Sequence, residues 1–271
     1  MQLLTEALAR IFSASAVRYF LLAGIPFIMF YRLFPARLQR LKIQRKAASR
    51  KDFFREIWHS MQSTLVFSVI SVIIFFTPVR QYTQVYTQLH DFPLWYLGVS
   101  VLLSLVVHDT YFYWLHRLLH HPGLFKLTHL VHHKSTNPSP WTSYSFHLLE
   151  AIGEGGVLLL VVCIMPMHPL AVLAFTVAGF IINVYGHLGY ELMPRGFRRS
   201  WLFEVLNTSV HHNLHHSRFK GNYGLYFRIW DRVMGTEHPD YVKEYDRLQE
   251  QRFGKTAASS QSKKPVPVMD L

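Results

Sequence analysis

The sequence predicts an all-α fold: a multi-pass membrane helical bundle, with three spans plus a membrane hairpin, carrying a cytoplasmic histidine-rich helical cap. Three observations predict it. Half of the 271 residues are hydrophobic and only 16% are charged, more apolar than an ordinary soluble chain of this length. Apolar runs of about the length a bilayer requires are separated by loops of contrasting charge. Finally, the chain has 17 histidines, and they gather at the ends of those runs.

The net charge of +12 raises the question of nucleic acid, and the position of the charge answers it. Between Arg32 and Arg55 basic residues recur against a single acid, Asp52, and the stretch lies between two apolar runs. That is the Lys/Arg pattern of a cytoplasmic membrane loop, so no nucleic-acid partner is expected. Cys163, the single cysteine, excludes an intramolecular disulfide and sits in Leu-Val-Val-Cys-Ile as a packing residue.

Taken in order, Met1 to Arg10 lacks a basic start and a small-residue cleavage site, so no removable signal is expected. The run from about Ala14 to Phe30, with Arg18 near its start and Pro26 inside, is read as a first membrane helix. Met61 to Val79 is uncharged throughout and is the clearest span. Arg80 to Phe92 carries one Arg and one Asp, which puts it on the far side. The third span, Pro93 to Val107, runs directly into the first histidines, with Tyr111, Phe112, Tyr113 and Trp114 where an interfacial belt, or the mouth of a lipid route shared with Trp141, would sit. From Ser135 to Pro194 there is no Lys or Arg; Gly155–Met165 and Leu170–Val184 flank Pro166-Met-His-Pro169 as a hairpin that enters and leaves on one side. Arms of roughly 15 residues, or ~23 Å against a ~30 Å core, are short enough for a re-entrant hairpin. Leu225–Met234 reads as a short amphipathic helix, and the chain from Gly254 onward as a disordered tail. The organisation expected is N-terminal membrane helices with the basic loop (1–92), a histidine-bearing domain (93–236), and a C-terminal segment with the tail (237–271).

His116 and His120 are spaced i, i+4, while His129, His132, His133 and His212, His215, His216 are each spaced i, i+3, i+4. On a helix each set turns its imidazoles from one face toward one spot, and imidazole is the commonest nitrogen ligand of first-row metals. A lone histidine is more often an ordinary hydrogen-bonded residue; three such boxes on one membrane face outweigh that reading. Eight ligands are too many for one ion. Two ions taking four or five each fit, with His187, just after the hairpin, as a ninth ligand. His59, His90 and His238, isolated in presumed loops, and His168 at the hairpin turn are read as structural. His121 and His211 point about 100° away from the ligand candidates. For His108 and His147 three roles stay open: ligand, partner of a ligand, or plain helix residue. Asp109 either orients a ligand through its second ring nitrogen or serves as a packing acceptor; Glu150, three residues after His147, is a further possible partner.

Trp-Leu-His116-Arg-Leu-Leu-His120, His129-Leu-Val-His132-His133, Phe-His147-Leu-Leu-Glu150 and His212-Asn-Leu-His215-His216 resemble the boxes of the fatty acid hydroxylase/sterol desaturase superfamily of membrane di-iron oxygenases. Gly221-Asn-Tyr-Gly-Leu-Tyr-Phe-Arg-Ile-Trp-Asp-Arg-Val-Met-Gly-Thr236 is similar to the segment that ends that domain, so the resemblance covers Pro93 to Thr236. It implies two iron ions (Fe2+) held by the box histidines, O2 as co-substrate, and hydroxylation or desaturation of a C–H bond in a sterol, fatty acyl chain or related lipid, with hydroxylation preferred. His147 is followed by Leu where many relatives have Pro, so no firm role transfers to it. With no cytochrome b5-like domain fused to the chain, a separate donor is implied, cytochrome b5-like or ferredoxin-type with its reductase. The short tail and the absence of a retrieval signal at Asp270-Leu271 favour a bacterial inner membrane, or the ER membrane in a eukaryote, with the boxes facing the cytoplasm.

Two rival classes make different demands. A membrane zinc hydrolase needs few ligands and a free carboxylate base, for which Glu150, Glu154 and Glu191 are at hand; the excess of histidines speaks against it. A metal transporter places its ligands at mid-membrane, whereas here they cluster at the cytoplasmic ends of the spans.

Overall fold

The computed structural model describes residues 2–46 and 48–254. The tail expected to be disordered, 255–271, lies outside them, as does its end at Asp270-Leu271.

Helix α1 (Gln2–Phe27) starts well before the apolar run that announces it, because Leu-Leu-Thr-Glu-Ala-Leu-Ala-Arg is rich in strong helix formers although it is not apolar enough to read as a span. Pro26 has no N–H to continue the ladder, and directly after it the chain widens into a π-helical turn, Ile28–Leu33. Helix α2 (Arg50–Phe76) starts at a capping box in which Ser49 Oγ accepts from Asp52 N–H and Asp52 accepts from Ser49 N–H. It therefore begins three turns before Met61, and it stops at Thr77-Pro78 rather than at Val79. Helix α3 (Trp95–Leu119) is one continuous rod through the first histidine box. The short helices α4 (Pro122–Phe125) and α5 (Leu130–His133) follow. Then come the hairpin arms α6 (Leu148–Ile164) and α7 (Pro169–Gly186), and the cap helices α8 (Trp201–Val205), α9 (Ser209–Arg218), α10 (Ile229–Val233) and α11 (Tyr241–Phe253). No strand occurs among the described residues, only isolated bridges.

Four helices are long and apolar enough to cross a membrane: Gln2–Leu33, Arg50–Phe76, Trp95–Leu119 and Pro169–Gly186. The chain is an integral membrane protein. The hairpin is deeper than expected. Its arms hold 17 and 18 residues, about 26–27 Å of helix, because His147 and His168 cap their first turns and helix forms ahead of the apolar runs. The turn between them pairs with the α2–α3 loop: Gln84 N–H donates to Val162 O at 2.7 Å and Tyr86 N–H to Met167 O at 3.2 Å. A hairpin whose tip meets the far-side loop traverses the bundle rather than turning back inside it.

Three cores hold these elements. Ile74, Val157, Val161, Val162, Met167 and Val172 close the far end of α2, α6 and α7. Tyr19, Phe27, Trp141, Phe180 and Val184 fasten α1 to α7 and to the stretch before α6. In the cap, Val210 and Leu214 on one side of α9 pack against Phe203, Tyr241, Tyr245 and Leu248, which fixes the rotation of the helix that carries the last histidine box. The amphipathic helix expected over Leu225–Met234 is only the short α10, because the backbone of 226–228 pairs with that of 205–207: Asn207 N–H donates to Tyr226 O at 2.9 Å and Arg228 N–H to Val205 O at 2.8 Å, and a carbonyl and an N–H engaged across the cap are lost to a helix ladder.

Candidate metal centre

The nine histidines singled out above sort into two groups. His116, His120, His129, His133 and His215 form one; His132, His187, His212 and His216 form the other; in each, one ring nitrogen per residue lies within 4.8 Å of all the rest. Every member is buried except the half-buried His120.

Each box was expected to converge on a single spot, and it does not. Successive residues are 100° apart around a helix, so i and i+4 differ by about 40° while i+3 falls about 60° to the other side. Two sites lying side by side above one helix face therefore divide a box: His129 and His133 go to the first group and His132 to the second, while His212 and His216 go to the second and His215 to the first. The two boxes interlock the groups.

Five of the nine rings have a hydrogen-bond acceptor on Nδ1. His116 Nδ1–H donates to Tyr223 O at 2.9 Å, His215 to Gly221 O at 2.7 Å, His216 to Ser135 O at 3.1 Å and His187 to Asn183 O at 2.9 Å. His129 Nδ1–H donates to Glu150 Oε1 at 2.6 Å. A neutral imidazole with its proton on Nδ1 presents a bare lone pair at Nε2. Yet His116 Nε2 lies 3.0 Å from His129 Nε2, and His187 Nε2 lies 3.2 Å from His216 Nε2. Two lone pairs cannot hydrogen-bond each other, and a cation between them turns the repulsion into coordination. Nitrogens bound at ~2.1 Å and at right angles about one ion lie ~3.0 Å apart, so the donor set fits metal. The protonation states agree: burial first, then mutual repulsion, holds the imidazoles of His129, His132, His133, His212 and His216 well below the usual histidine range, which keeps them neutral.

The carbonyls that orient His116 and His215 belong to the Gly221-Asn-Tyr-Gly turn. Gly221 has φ +76°, and a Cβ there would sit 2.6 Å from Thr236 O, so only glycine closes this turn. Asn222 Nδ2 donates to His211 O at 2.9 Å and its Oδ1 accepts from His238 N–H at 2.6 Å. Asp231 accepts from Tyr223 N–H, Gly224 N–H and Thr236 Oγ1.

The remaining candidates take other roles. His108 is hydrogen-bonded to Tyr226 Oη at 2.9 Å, outside both groups. Asp109 holds the backbone of 225–227 and touches no ligand imidazole. His147 caps α6 and His121 caps α4. His211 is buried edge-on to Tyr241 with no hydrogen bond at either ring nitrogen, its Nε2 lying 3.9 Å from Asp231 Oδ2. His59 lies on α2 rather than in a loop. Of the carboxylates a hydrolase would draw on, Glu150 is committed to His129, and Glu191 accepts from Tyr185 Oη, Met193 N–H and Val210 N–H.

Sequence reasoning missed Glu56. Fully buried on α2, it accepts from Ser135 Oγ at 2.7 Å and Ser139 Oγ at 2.6 Å, and Ser135 is the residue whose carbonyl orients His216. A signal was present: Glu56, Ser60, Ser63, Thr64 and Ser68 form a helical polar stripe, and all are buried.

Beside the groups, between the membrane helices, lies a cavity lined mostly by apolar side chains. Phe112 and Phe146 form part of its wall and also pack on His116 and His132, with ring centroids 4.9 and 5.1 Å apart. Of the five aromatic residues considered for a lipid mouth, only Phe112 lines it; Trp141 is buried against Tyr19 and Phe27.

A family model described as fatty acid hydroxylase matches residues 101–236, half of the chain. The chain belongs to the fatty acid hydroxylase family. It is similar to lathosterol oxidase of Rattus norvegicus, 34% identical over 68% of this chain and 61% of the relative. It is also similar to a Delta(7)-sterol 5(6)-desaturase of Gibberella zeae, 29% identical over 82% of this chain and 66% of the relative. A cholesterol 25-hydroxylase-like protein of Danio rerio is 29% identical over 79% of this chain and 85% of the relative. The chain thus spans somewhat less than two thirds of the lathosterol oxidase and of the desaturase. No solved structure matches it. The family match runs from within α3 to the residue that closes the Gly221 turn, so it takes in all nine histidines.

Proposed function

We propose that this protein is a membrane oxidoreductase of lipids in which the two histidine groups hold two iron ions, and that it uses O2 and electrons from a separate donor to desaturate or hydroxylate a C–H bond. The observation that carries the reading is the opposed pair of bare Nε2 atoms in each group, a contact that calls for a cation. Bound iron supplies the redox chemistry that turns O2 against an unactivated C–H bond.

The chain's own residues do the rest. Neutral imidazoles supply nitrogen donors without adding charge, and the carbonyls of Ser135, Asn183, Gly221 and Tyr223 together with Glu150 hold five of the rings in one tautomer and orientation. The apolar cavity excludes water and presents its occupant past Phe112 and Phe146 to both groups. The named relatives support a sterol as the lipid, and they weigh toward desaturation more than the resemblance of the boxes did. The Lys/Arg-rich α1–α2 segment supports a cytoplasmic position for the histidine ends of the helices, where a cytochrome b5-like or ferredoxin-type donor would have access.

The test is turnover in lipid nanodiscs, with lathosterol as probe, a donor and reductase pair, and 18O2. Oxygen uptake that requires both reductant and sterol is expected, with a new double bond, or 18O in a hydroxyl product. A product formed equally well under argon, by hydrolysis of a lipid ester, would overturn the reading.

A further inference from the structure

Glu154 is the one acidic residue in the wall of the cavity. It is 8% exposed, and among the described residues no donor or cation meets its carboxyl. Arg18, the other charged residue of the wall, is not paired with it: the guanidinium Nη1 donates to Thr176 Oγ1 at 3.1 Å, across the α1–α7 seam. An ionisable side chain placed in a membrane bundle without a partner is costly, and such residues mark substrate or ion sites. A buried carboxyl with unmet hydrogen-bonding capacity faces empty space here, so the missing partner belongs to whatever fills that space.

The location narrows the ligand. Glu154 follows Glu150 by about one helical turn, ~6 Å of rise, and Glu150 is bonded to His129. The polar group that meets Glu154 therefore lies at the end of the cavity nearer the histidines. A fatty acid would bring a second carboxyl, and one anchored instead at Arg18 would leave Glu154 against methylene groups with nothing to bond. A phosphate headgroup would bring negative charge to the same carboxyl. A hydroxyl carries no charge and both donates and accepts, so it bonds a carboxyl in either protonation state. The rest of the wall is largely aromatic and aliphatic, Phe67, Phe112, Phe146, Phe175 and Phe180 among it, as a hydrocarbon skeleton requires.

We propose that Glu154 is the specificity-determining residue of the cavity: its carboxyl receives the hydroxyl of a neutral lipid alcohol and selects that class over hydrocarbons and lipid acids. This rests on the oxygenase reading for what happens next, but the binding itself does not.

The experiment is equilibrium binding to the full chain in nanodiscs, corrected with empty discs, for the parent, Glu154→Leu and Glu154→Gln. The probes are 5α-cholestan-3β-ol, the parent hydrocarbon 5α-cholestane, hexadecan-1-ol and hexadecanoic acid. Comparing each probe between variants cancels its partition into the lipid. In the leucine variant, affinity for an alcohol falls on the order of ten-fold while that for 5α-cholestane holds or rises, and the glutamine variant, which still donates and accepts, stays within a few-fold of the parent. Whether the sterol or the linear alcohol shows the loss identifies the skeleton. Equal losses for alcohol and hydrocarbon, no binding of either alcohol, or hexadecanoic acid as the preferred ligand would overturn the assignment. A chain that binds alcohols through Glu154 but holds no iron sinks the oxygenase reading alone; one that turns over its lipid with the same alcohol preference in the leucine variant sinks this inference alone.

Discussion

His215→Ala removes the metal from the five-histidine group, and His132→Ala removes it from the four-histidine group; in both, turnover falls by more than about 100-fold, since even a residue behind a ligand is worth 10–100-fold in metal affinity or activity. Each ring is buried and has its ring nitrogen in one group. Iron content per chain and sterol turnover are the readouts, and full iron with full activity in either variant would refute the assignment. A merely structural histidine is separable by its effect on the metal: an alanine variant that melts earlier but keeps full iron and full activity marks its ring as structural.

Glu150→Ala weakens iron binding by about 10–100-fold without removing any ligand, the range for residues that hold a ligand imidazole. The carboxylate accepts a hydrogen bond from His129 Nδ1–H at 2.6 Å with both partners buried. Without it that N–H is stranded, and the ring can turn or shift its proton to the nitrogen needed for metal. Glu150→Gln keeps an acceptor oxygen and loses less. Competition against a chelator of known affinity measures both, and equal affinity in parent and alanine variant would show that Glu150 does not orient His129.

The boxes were legible in the sequence because their periodicity survives without coordinates, and His187, taken with them for its place after the hairpin, falls in the four-histidine group. Their division between two sites was not: i, i+3, i+4 spacing says that three rings share a helix face, and only the position of the neighbouring helices says where that face is split. The spans were legible by hydropathy but short at the ends nearer the histidines, since capping by Ser49 and His147 sets those starts. The hairpin's depth rests on backbone pairing between Gln84, Tyr86 and the segment 162–167, a long-range contact with no local trace. Asp109 was read as either of two things and is the packing acceptor. Glu56 escaped because it falls between the basic loop, which ends at Arg55, and the span that starts at Met61, while its partners Ser135 and Ser139 lie about 80 residues away in sequence.

The central claim, that both histidine groups hold iron and act as one centre, is tested most directly by Mössbauer spectroscopy of the chain produced with iron-57 and purified without oxygen. The account predicts one iron in each group and, on oxidation, a magnetically coupled pair. A single tightly held zinc, or iron in one group only, would contradict it.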